Sequence, residues 1–122
     1  MIPFLDLQKI NMQYESEFKE AFANVLKSGW FILGKQVDDF ERAYARFNSV
    51  SDCIGVANGL DALVLCLKAL GIGEGDEVIV PSNTYIASWL AVSYVGATPV
   101  PVEPRPDTYN IDPIDRKKDQ QP

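Results

Sequence analysis

Apolar residues recur every three or four positions through much of residues 8–47, which is the spacing of amphipathic helices. A first helix is predicted over residues 8–27, and it ends at Ser28 and Gly29 because glycine readily closes a helix. The short apolar stretch 30–33 follows, too brief for a helix and too apolar for an ordinary surface loop. A second helix is predicted over residues 37–47. The first part of the chain is therefore expected to be a helical arm.

A different pattern begins after Asp52, where short continuous apolar runs alternate with helical spacing. Strands are predicted over 53–57, 77–80 and 98–102, and helices over 60–70 and 84–95. Pro99 and Pro101 suit an edge position for the last strand, because proline has no N–H to donate to a neighbouring strand. Strands that alternate with helices pair in parallel. The sequence thus predicts an α/β fold, an N-terminal helical arm followed by a βαβαβ parallel-sheet unit.

Composition narrows the functional classes. The chain has 122 residues and a net charge of −6, from 11 basic and 17 acidic side chains. This balance argues against nucleic acid as a partner, since phosphate backbones are bound by clustered Lys and Arg, and against a polybasic membrane anchor. No apolar run approaches the roughly 18 residues of a membrane helix, and the N-terminus lacks the pattern of a secretion signal. We therefore expect a soluble cytoplasmic protein.

Histidine and cysteine limit the possible chemistry further. The sequence has no histidine, the commonest metal ligand and general base, which argues against a metallohydrolase or a Ser-His-Asp hydrolase. Cys53 and Cys66 both lie in apolar stretches without a CxxC spacing, so they are predicted to be buried free thiols in a reducing compartment. No metal site is expected.

Candidate chemistry lies in the loops after the strands, because ligands of open parallel sheets bind outside the carboxyl ends of the strands. The turn at Asn58 and Gly59 leads directly into a helix, so the backbone N–H groups of Gly59, Leu60 and Asp61 are predicted to bind an anion such as phosphate. The same sequence is also a generic turn with a capped helix. It is neither a P-loop nor a GxGxxG fingerprint, which disfavours a nucleoside triphosphate or a dinucleotide.

Three aromatic residues are further candidates. Tyr85 is predicted in the first turn of a helix beside the anion site, where a flat ring suits a flat phosphorylated cofactor; the alternative is packing between helix and sheet. Trp30 and Phe31 are likewise candidates for contact with a ligand. For them the alternative is buried packing or a subunit contact.

Six blocks of residues, in this order, resemble the opening of the DegT/StrS-type nucleotide-sugar aminotransferases. They are residues 2–7 (IPFLDL), 28–34 (SGWFILG), 58–63 (NGLDAL), 70–79 (LGIGEGDEVI), 96–100 (GATPV) and 107–113 (DTYNIDP). The resemblance implies the aspartate-aminotransferase fold, in which residues 1–113 are the N-terminal part of the large domain. It also implies pyridoxal 5′-phosphate as cofactor, a nucleotide-linked keto sugar as substrate, glutamate as amino donor and a homodimer.

The resemblance also assigns roles to particular positions. Gly59 and Leu60 correspond to the turn that holds the cofactor phosphate, although most members have Thr or Ser in place of Leu60. Tyr85 corresponds to the aromatic residue that stacks on the pyridine ring. Trp30 and Phe31 correspond to a segment at the substrate site or the dimer interface, where both subunits line each site. The leucine variant resembles members that aminate a 3-keto sugar on a dTDP carrier.

The family's catalytic groups lie downstream of the blocks that match. They are the lysine that forms the Schiff base, the aspartate that pairs with the pyridine nitrogen, and a small C-terminal domain. No catalytic residue is therefore assigned here, and the 122 residues alone are expected to be an inactive truncated fragment. The polar segment 114–122 no longer resembles the family, as a frameshift or premature stop would produce, and is predicted to be disordered.

Two other interpretations stay open. A non-catalytic truncated product could pair with a full-length relative through an exposed sheet edge and the apolar segment 30–33. A sugar dehydratase of the same fold, with histidine in place of the Schiff-base lysine, has the same opening sequence blocks, because the position that separates the two lies downstream.

Overall fold

The computed structural model describes residues 3–113. The disordered tail predicted over 114–122 lies outside these residues. Contacts between residues divide the chain into two compact units, Met1–Gly55 and Val56–Pro122. None of the described helices is long and apolar enough to cross a membrane.

The first unit is helical, as predicted. Its elements are helix α1 (Leu7–Asn11), a 3₁₀ turn (Met12–Tyr14), helix α2 (Glu15–Ser28) and helix α3 (Lys35–Phe47). Gly29 ends α2 with a left-handed backbone, φ 65°, and donates its N–H to the Leu26 carbonyl. Ala45 of α3 is buried, whereas the large apolar side chains of α2, including Phe18 and Phe22, remain exposed.

The single helix predicted over residues 8–27 is interrupted at the 3₁₀ turn. The side-chain amide of Asn11 donates to the Leu7 carbonyl at 2.8 Å, and that of Gln13 donates to the Ile10 carbonyl at 3.1 Å. Amide side chains that bond nearby carbonyls compete with the backbone hydrogen bonds of a helix. The apolar periodicity continues through the turn, so the pattern alone gave no sign of the break.

The second unit holds a small parallel sheet with its helices. Its elements are helix α4 (Gly59–Ala69), strand β1 (Glu77–Pro81), helix α5 (Ile86–Tyr94) and strand β2 (Thr98–Val102). Val80, Val92 and Ala97 form the buried core, against which partly buried side chains such as Leu67 and Trp89 pack. Because β1 ends where the loop to α5 begins, this arrangement fixes the position of that loop.

The register of the sheet explains the two prolines in β2. Pro99 lies beside Val78 and Pro101 beside Val80. Thr98 donates its N–H to the Asp76 carbonyl at 2.9 Å, and Ser82 donates to the Val102 carbonyl at 2.9 Å. Since hydrogen bonding to one neighbour alternates along a strand, the two prolines face the outer edge, where no donor is needed. Within residues 3–113, β2 is an edge strand, as predicted.

The strand predicted over residues 53–57 is wrong for the described part of the chain, in which the sheet has two strands, β1 and β2. Instead, the Gly55 N–H donates to the Oε1 atom of Glu41 at 2.6 Å. A strand requires a backbone partner, and here a carboxylate satisfies the amide. An apolar run predicts burial but does not supply that partner.

The prediction of two buried thiols is also wrong. Both cysteines are free, but Cys53 is only partly buried and Cys66 is exposed. Cys66 lines an apolar groove of about 200 Å³, together with Leu63 and Leu67 of α4 and Val80 of β1. The groove is open to solvent, so an apolar position on α4 does not bury the thiol.

Candidate functional site

Asn58, the residue before α4, caps the N-terminus of this helix with its side chain. Asn58 has an extended backbone, and its Oδ1 atom accepts the Asp61 N–H at 2.9 Å. The Asn58 amide in turn donates to the Asp61 carboxylate at 3.0 Å. Asparagine is a favoured N-cap, and a carboxylate in the first turn suits the positive end of the helix dipole. The expectation of three free amides is therefore wrong at Asp61, whose N–H is capped internally.

The amides of Gly59 and Leu60 have no hydrogen-bond partner within residues 3–113. Both belong to the first turn of an eleven-residue helix, where N–H groups lack partners inside the helix and the dipole adds partial positive charge. Such a helix end accepts an anion, and phosphate oxygens are well suited to it.

Tyr85 lies at the entrance to α5 rather than in its first turn. Its backbone is extended, with φ −66° and ψ 147°, and it precedes the first helical residue, Ile86. The side chain is 79% exposed. Packing of this ring between helix and sheet, the alternative considered above, is therefore not what the second unit contains. The ring is free to contact a ligand.

The two helix N-termini line one cleft of about 580 Å³ in the second unit. The lining residues are Asn58, Gly59, Leu60, Leu63, Tyr85, Ile86, Ala87, Ser88 and Leu90. Sites for small ligands have volumes of about 300–1,000 Å³ and combine apolar walls with a few polar groups. The structure thus brings the adjacent candidates Gly59 and Leu60 together with Tyr85, which lies 25 residues further along the chain.

Trp30 and Phe31 lie in the first unit, in the connection between α2 and α3. The Ser28 hydroxyl accepts the Trp30 N–H at 3.1 Å and donates to the Val25 carbonyl at 2.7 Å. The side chains of Trp30 and Phe31 are 64% and 67% exposed, so neither is buried within the described chain. Leu33 closes the segment with a left-handed backbone, φ 48°.

Gly34 leaves room for the Trp30 indole, because a Cβ atom at residue 34 would lie 2.6 Å from the Trp30 Cδ1 atom. We expect Gly34→Ala to displace the indole without unfolding α3, since the Gly34 backbone is extended, with φ −100°. The indole N–H resonance of Trp30 in NMR spectra should shift, while that of Trp89 in the second unit should not. Unchanged Trp30 resonances would contradict the described packing.

Comparison with known proteins identifies the family. The profile of the DegT/DnrJ/EryC1/StrS aminotransferase family matches residues 12–118, most of the chain. The chain belongs to this family. The resemblance found in the sequence blocks is thereby confirmed.

Relatives within the DegT/DnrJ/EryC1/StrS family are similar in sequence and structure. The dTDP-3-amino-3,6-dideoxy-α-D-galactopyranose transaminase of Aneurinibacillus thermoaerophilus is 65% identical over 114 residues, which are 93% of this chain and 31% of the relative. Streptomyces venezuelae DesV, solved with a ketimine intermediate, has a TM-score of 0.93 and 50% identity over 99% of this chain and 33% of DesV. Bacillus subtilis NtdA, solved with bound cofactor PMP, has a TM-score of 0.91 and 30% identity over 99% of this chain and 28% of NtdA.

These likenesses confirm the predicted fold class, a partial large domain of the fold-type I pyridoxal-phosphate transferases. The chain spans about a third of the length of DesV and 31% of the Aneurinibacillus relative. It corresponds to one part of the family's proteins.

The described residues fit the phosphate and ring of a pyridoxal phosphate cofactor. Two unpartnered amides at the N-terminus of α4 match a phosphate monoester, and an exposed phenol ring lines the same cleft. Leu60 offers its N–H but no hydroxyl, so only the backbone would be able to contact a phosphate at this position.

Sequence reasoning missed two parts of the cleft. The N-terminus of α5 adds a second pair of amides without partners within the described chain, those of Ile86 and Ala87. A capped helix was expected here, but Asn58 was not named as the cap, although asparagine followed three residues later by an acidic residue is a recognisable helix start. The N-terminus of α5 carried no comparable signal in the sequence, because Tyr85, the residue before it, is not of a type that caps helices.

Proposed function

We propose that this chain forms the phosphate and ring subsites of a pyridoxal-phosphate-dependent nucleotide-sugar aminotransferase of the DegT/DnrJ/EryC1/StrS family. The single observation that supports this most directly is the cleft in which the free amides of Gly59 and Leu60 lie with the exposed ring of Tyr85. When bound, the cofactor acts as an electron sink for the transfer of an amino group.

Each residue has a distinct part in this proposal. The amides of Gly59 and Leu60 bind the cofactor phosphate, aided by the dipole of α4. Tyr85 stacks on the pyridine ring and sets its plane, with a contribution of about 0.5–1.5 kcal/mol beyond burial of its area. The resemblance assigns covalent attachment of the cofactor to a lysine beyond the matched part of the family. We therefore assign no catalytic residue to this chain.

The proposed substrate is a nucleotide-linked keto sugar, with glutamate as amino donor. The 65% identical relative is named a transaminase for a dTDP-linked 3-amino sugar, which supports a 3-keto sugar on a dTDP carrier. We also propose that the active form is a homodimer, with Trp30 and Phe31 at the subunit interface. Their exposure in an apolar segment supports this, because such side chains are stabilised by a partner. A cytoplasmic location, where Cys53 and Cys66 stay reduced, completes the proposal.

Binding of pyridoxine 5′-phosphate to the 122-residue chain tests the proposal. This analogue has no aldehyde, so it cannot form a Schiff base with surface lysines, and it reports non-covalent binding alone. NMR titration should shift the amides of Gly59 and Leu60 and the ring of Tyr85. Pyridoxine 5′-phosphate should bind at least tenfold tighter than inorganic phosphate or pyridoxine, because only the ester contacts both subsites.

Two results would contradict the proposal. Equal affinity for pyridoxine 5′-phosphate and inorganic phosphate would show that Tyr85 does not form a ring subsite. Shifts confined to residues outside the cleft would show that the ligand binds elsewhere.

A further inference from the structure

The position of the Tyr85 ring depends on the backbone that carries it. Within residues 3–113 the Tyr85 side chain has no hydrogen bond and no contact with another aromatic ring, and it is largely exposed. Its location in the cleft is therefore set by the backbone between the end of β1 and the start of α5. A group that fixes this backbone also fixes the point from which the ring projects.

One attachment lies on the helix side of Tyr85. The Thr84 hydroxyl is hydrogen-bonded to the Ser88 hydroxyl at 2.9 Å, in a partly buried position. The Thr84 N–H donates to the Pro81 carbonyl at 3.2 Å. These two bonds join residue 84 to the first turn of α5 and to the last residue of β1.

A second attachment lies on the strand side and spans 26 residues of sequence. The side-chain amide of Asn83 donates to the Tyr109 carbonyl at 3.4 Å. This bond links the loop after β1 to the loop after β2. The hydrogen bond is long and exposed, so it restrains Asn83 only if the Tyr109 carbonyl is itself held in place.

The acceptor belongs to a loop closed by several bonds of its own. The Arg105 guanidinium donates to both carboxylate oxygens of Asp107, at 3.1 and 2.8 Å. The Arg105 N–H donates to the Asn110 carbonyl at 2.9 Å, and the Tyr109 N–H donates to the Arg105 carbonyl at 2.8 Å. Pro104 and Ile111 form an antiparallel bridge at the base.

Tyr109 itself has a left-handed backbone, with φ 58°. This conformation is uncommon for a residue other than glycine, and it persists where the surrounding structure holds it. The loop over residues 104–111 therefore presents the Tyr109 carbonyl in a fixed position.

We infer that Asn83 is a positioning residue, which fixes the backbone that carries the Tyr85 ring by bonding the Tyr109 carbonyl of the closed loop. This inference rests on the proposed function, since the ring matters only if a cofactor ring stacks on it. The loop over 104–111 does not line the cleft, yet it determines how well the ring subsite is preorganised. The phosphate subsite at α4 does not depend on it.

The test compares Asn83→Ala with Ser82→Ala in the 122-residue chain. Ser82 is the neighbouring exposed residue, and its replacement keeps the N–H that bonds the Val102 carbonyl. Asn83→Ala should weaken binding of pyridoxine 5′-phosphate about fivefold and leave binding of inorganic phosphate unchanged. Ser82→Ala should change neither, and Asn83→Gln, which keeps an amide donor, should restore part of the affinity.

A second part of the test measures the Tyr85 backbone without ligand. The backbone order parameter of Tyr85 from NMR relaxation should be near 0.85 in the unsubstituted chain and lower in Asn83→Ala. Equal order parameters in the two proteins would overturn the inference, whatever the ligand titrations give. So would an equal loss of affinity for both ligands, which indicates general destabilisation. If pyridoxine 5′-phosphate binds no tighter than phosphate but Tyr85 loosens as expected, the proposed function fails while the structural role of Asn83 stands.

Discussion

In the Gly59→Pro variant, we expect the affinity for pyridoxine 5′-phosphate to fall roughly ten- to a hundredfold. Proline removes the single N–H of residue 59, and a hydrogen bond to a charged group contributes about 1.5–3 kcal/mol. The helix itself should tolerate the change, because proline is favoured at the first helical position and α4 begins at Gly59. Asn58 has an extended backbone, as the residue before a proline requires.

Gly59→Ala is the matched control for this experiment. A Cβ atom at residue 59 would meet nothing within 4 Å, so alanine adds a side chain in open space and keeps the N–H. We expect it to bind the ligand as the unsubstituted chain does. Affinities can be measured by NMR titration, with circular dichroism to verify that both variants keep their helices. If the proline and alanine variants bind equally well, the Gly59 amide does not hold the phosphate.

Val92→Asp should unfold the second unit. Val92 is 2% exposed and lies in the core with Val80 and Ala97. The aspartate would place a carboxylate in a cluster of apolar side chains, where a charge without a partner costs more than about 4 kcal/mol. That cost is comparable with the whole stability of a small domain, about 5–15 kcal/mol. NMR spectra should lose the dispersed resonances of residues 56–113.

Ser93→Asp provides the comparison, because it places the same side chain one position further along α5, on the exposed face. It removes the bond from the Ser93 hydroxyl to the Trp89 carbonyl and puts a negative charge near the helix C-terminus, at a cost of about 1 kcal/mol or less. The loss of stability caused by Val92→Asp should be smaller at acidic pH, because burial of a neutral carboxyl group costs less than burial of a charged one. A dispersed spectrum of Val92→Asp at neutral pH would contradict the assignment of the core.

Most helices of the chain could be predicted closely from local pattern, although the 3₁₀ turn that divides the predicted helix 8–27 could not. The predicted helix 60–70 differs from α4 by one residue at each end, because both the turn that precedes it and the glycine that follows it are encoded locally. The edge position of β2 followed from Pro99 and Pro101 for the same reason. Residues that change the backbone within one turn leave a clear signal in the sequence.

Two other errors occurred where the surroundings of a segment decide the outcome. The apolar run over 53–57 has the composition of a strand, but the Gly55 N–H is bonded by the Glu41 carboxylate instead of a neighbouring strand. Cys66 lies in an apolar helix, yet it faces an open groove. Neither the bond at Gly55 nor the exposure of Cys66 can be deduced from periodicity. Periodicity reports the average polarity of a segment and not what lies against it.

The amino-acid sequence by itself determined the family of this protein, its helices and the residues that carry its candidate chemistry, because turns, caps and apolar stripes act over a few residues. Only the tertiary structure decided which of those residues share a site. It brought Gly59 and Leu60 into one cleft with Tyr85, and it attached Asn83 to the Tyr109 carbonyl. The physical reason is that a ligand site is built by contacts between segments, and the spacing of residues along the chain does not encode those contacts.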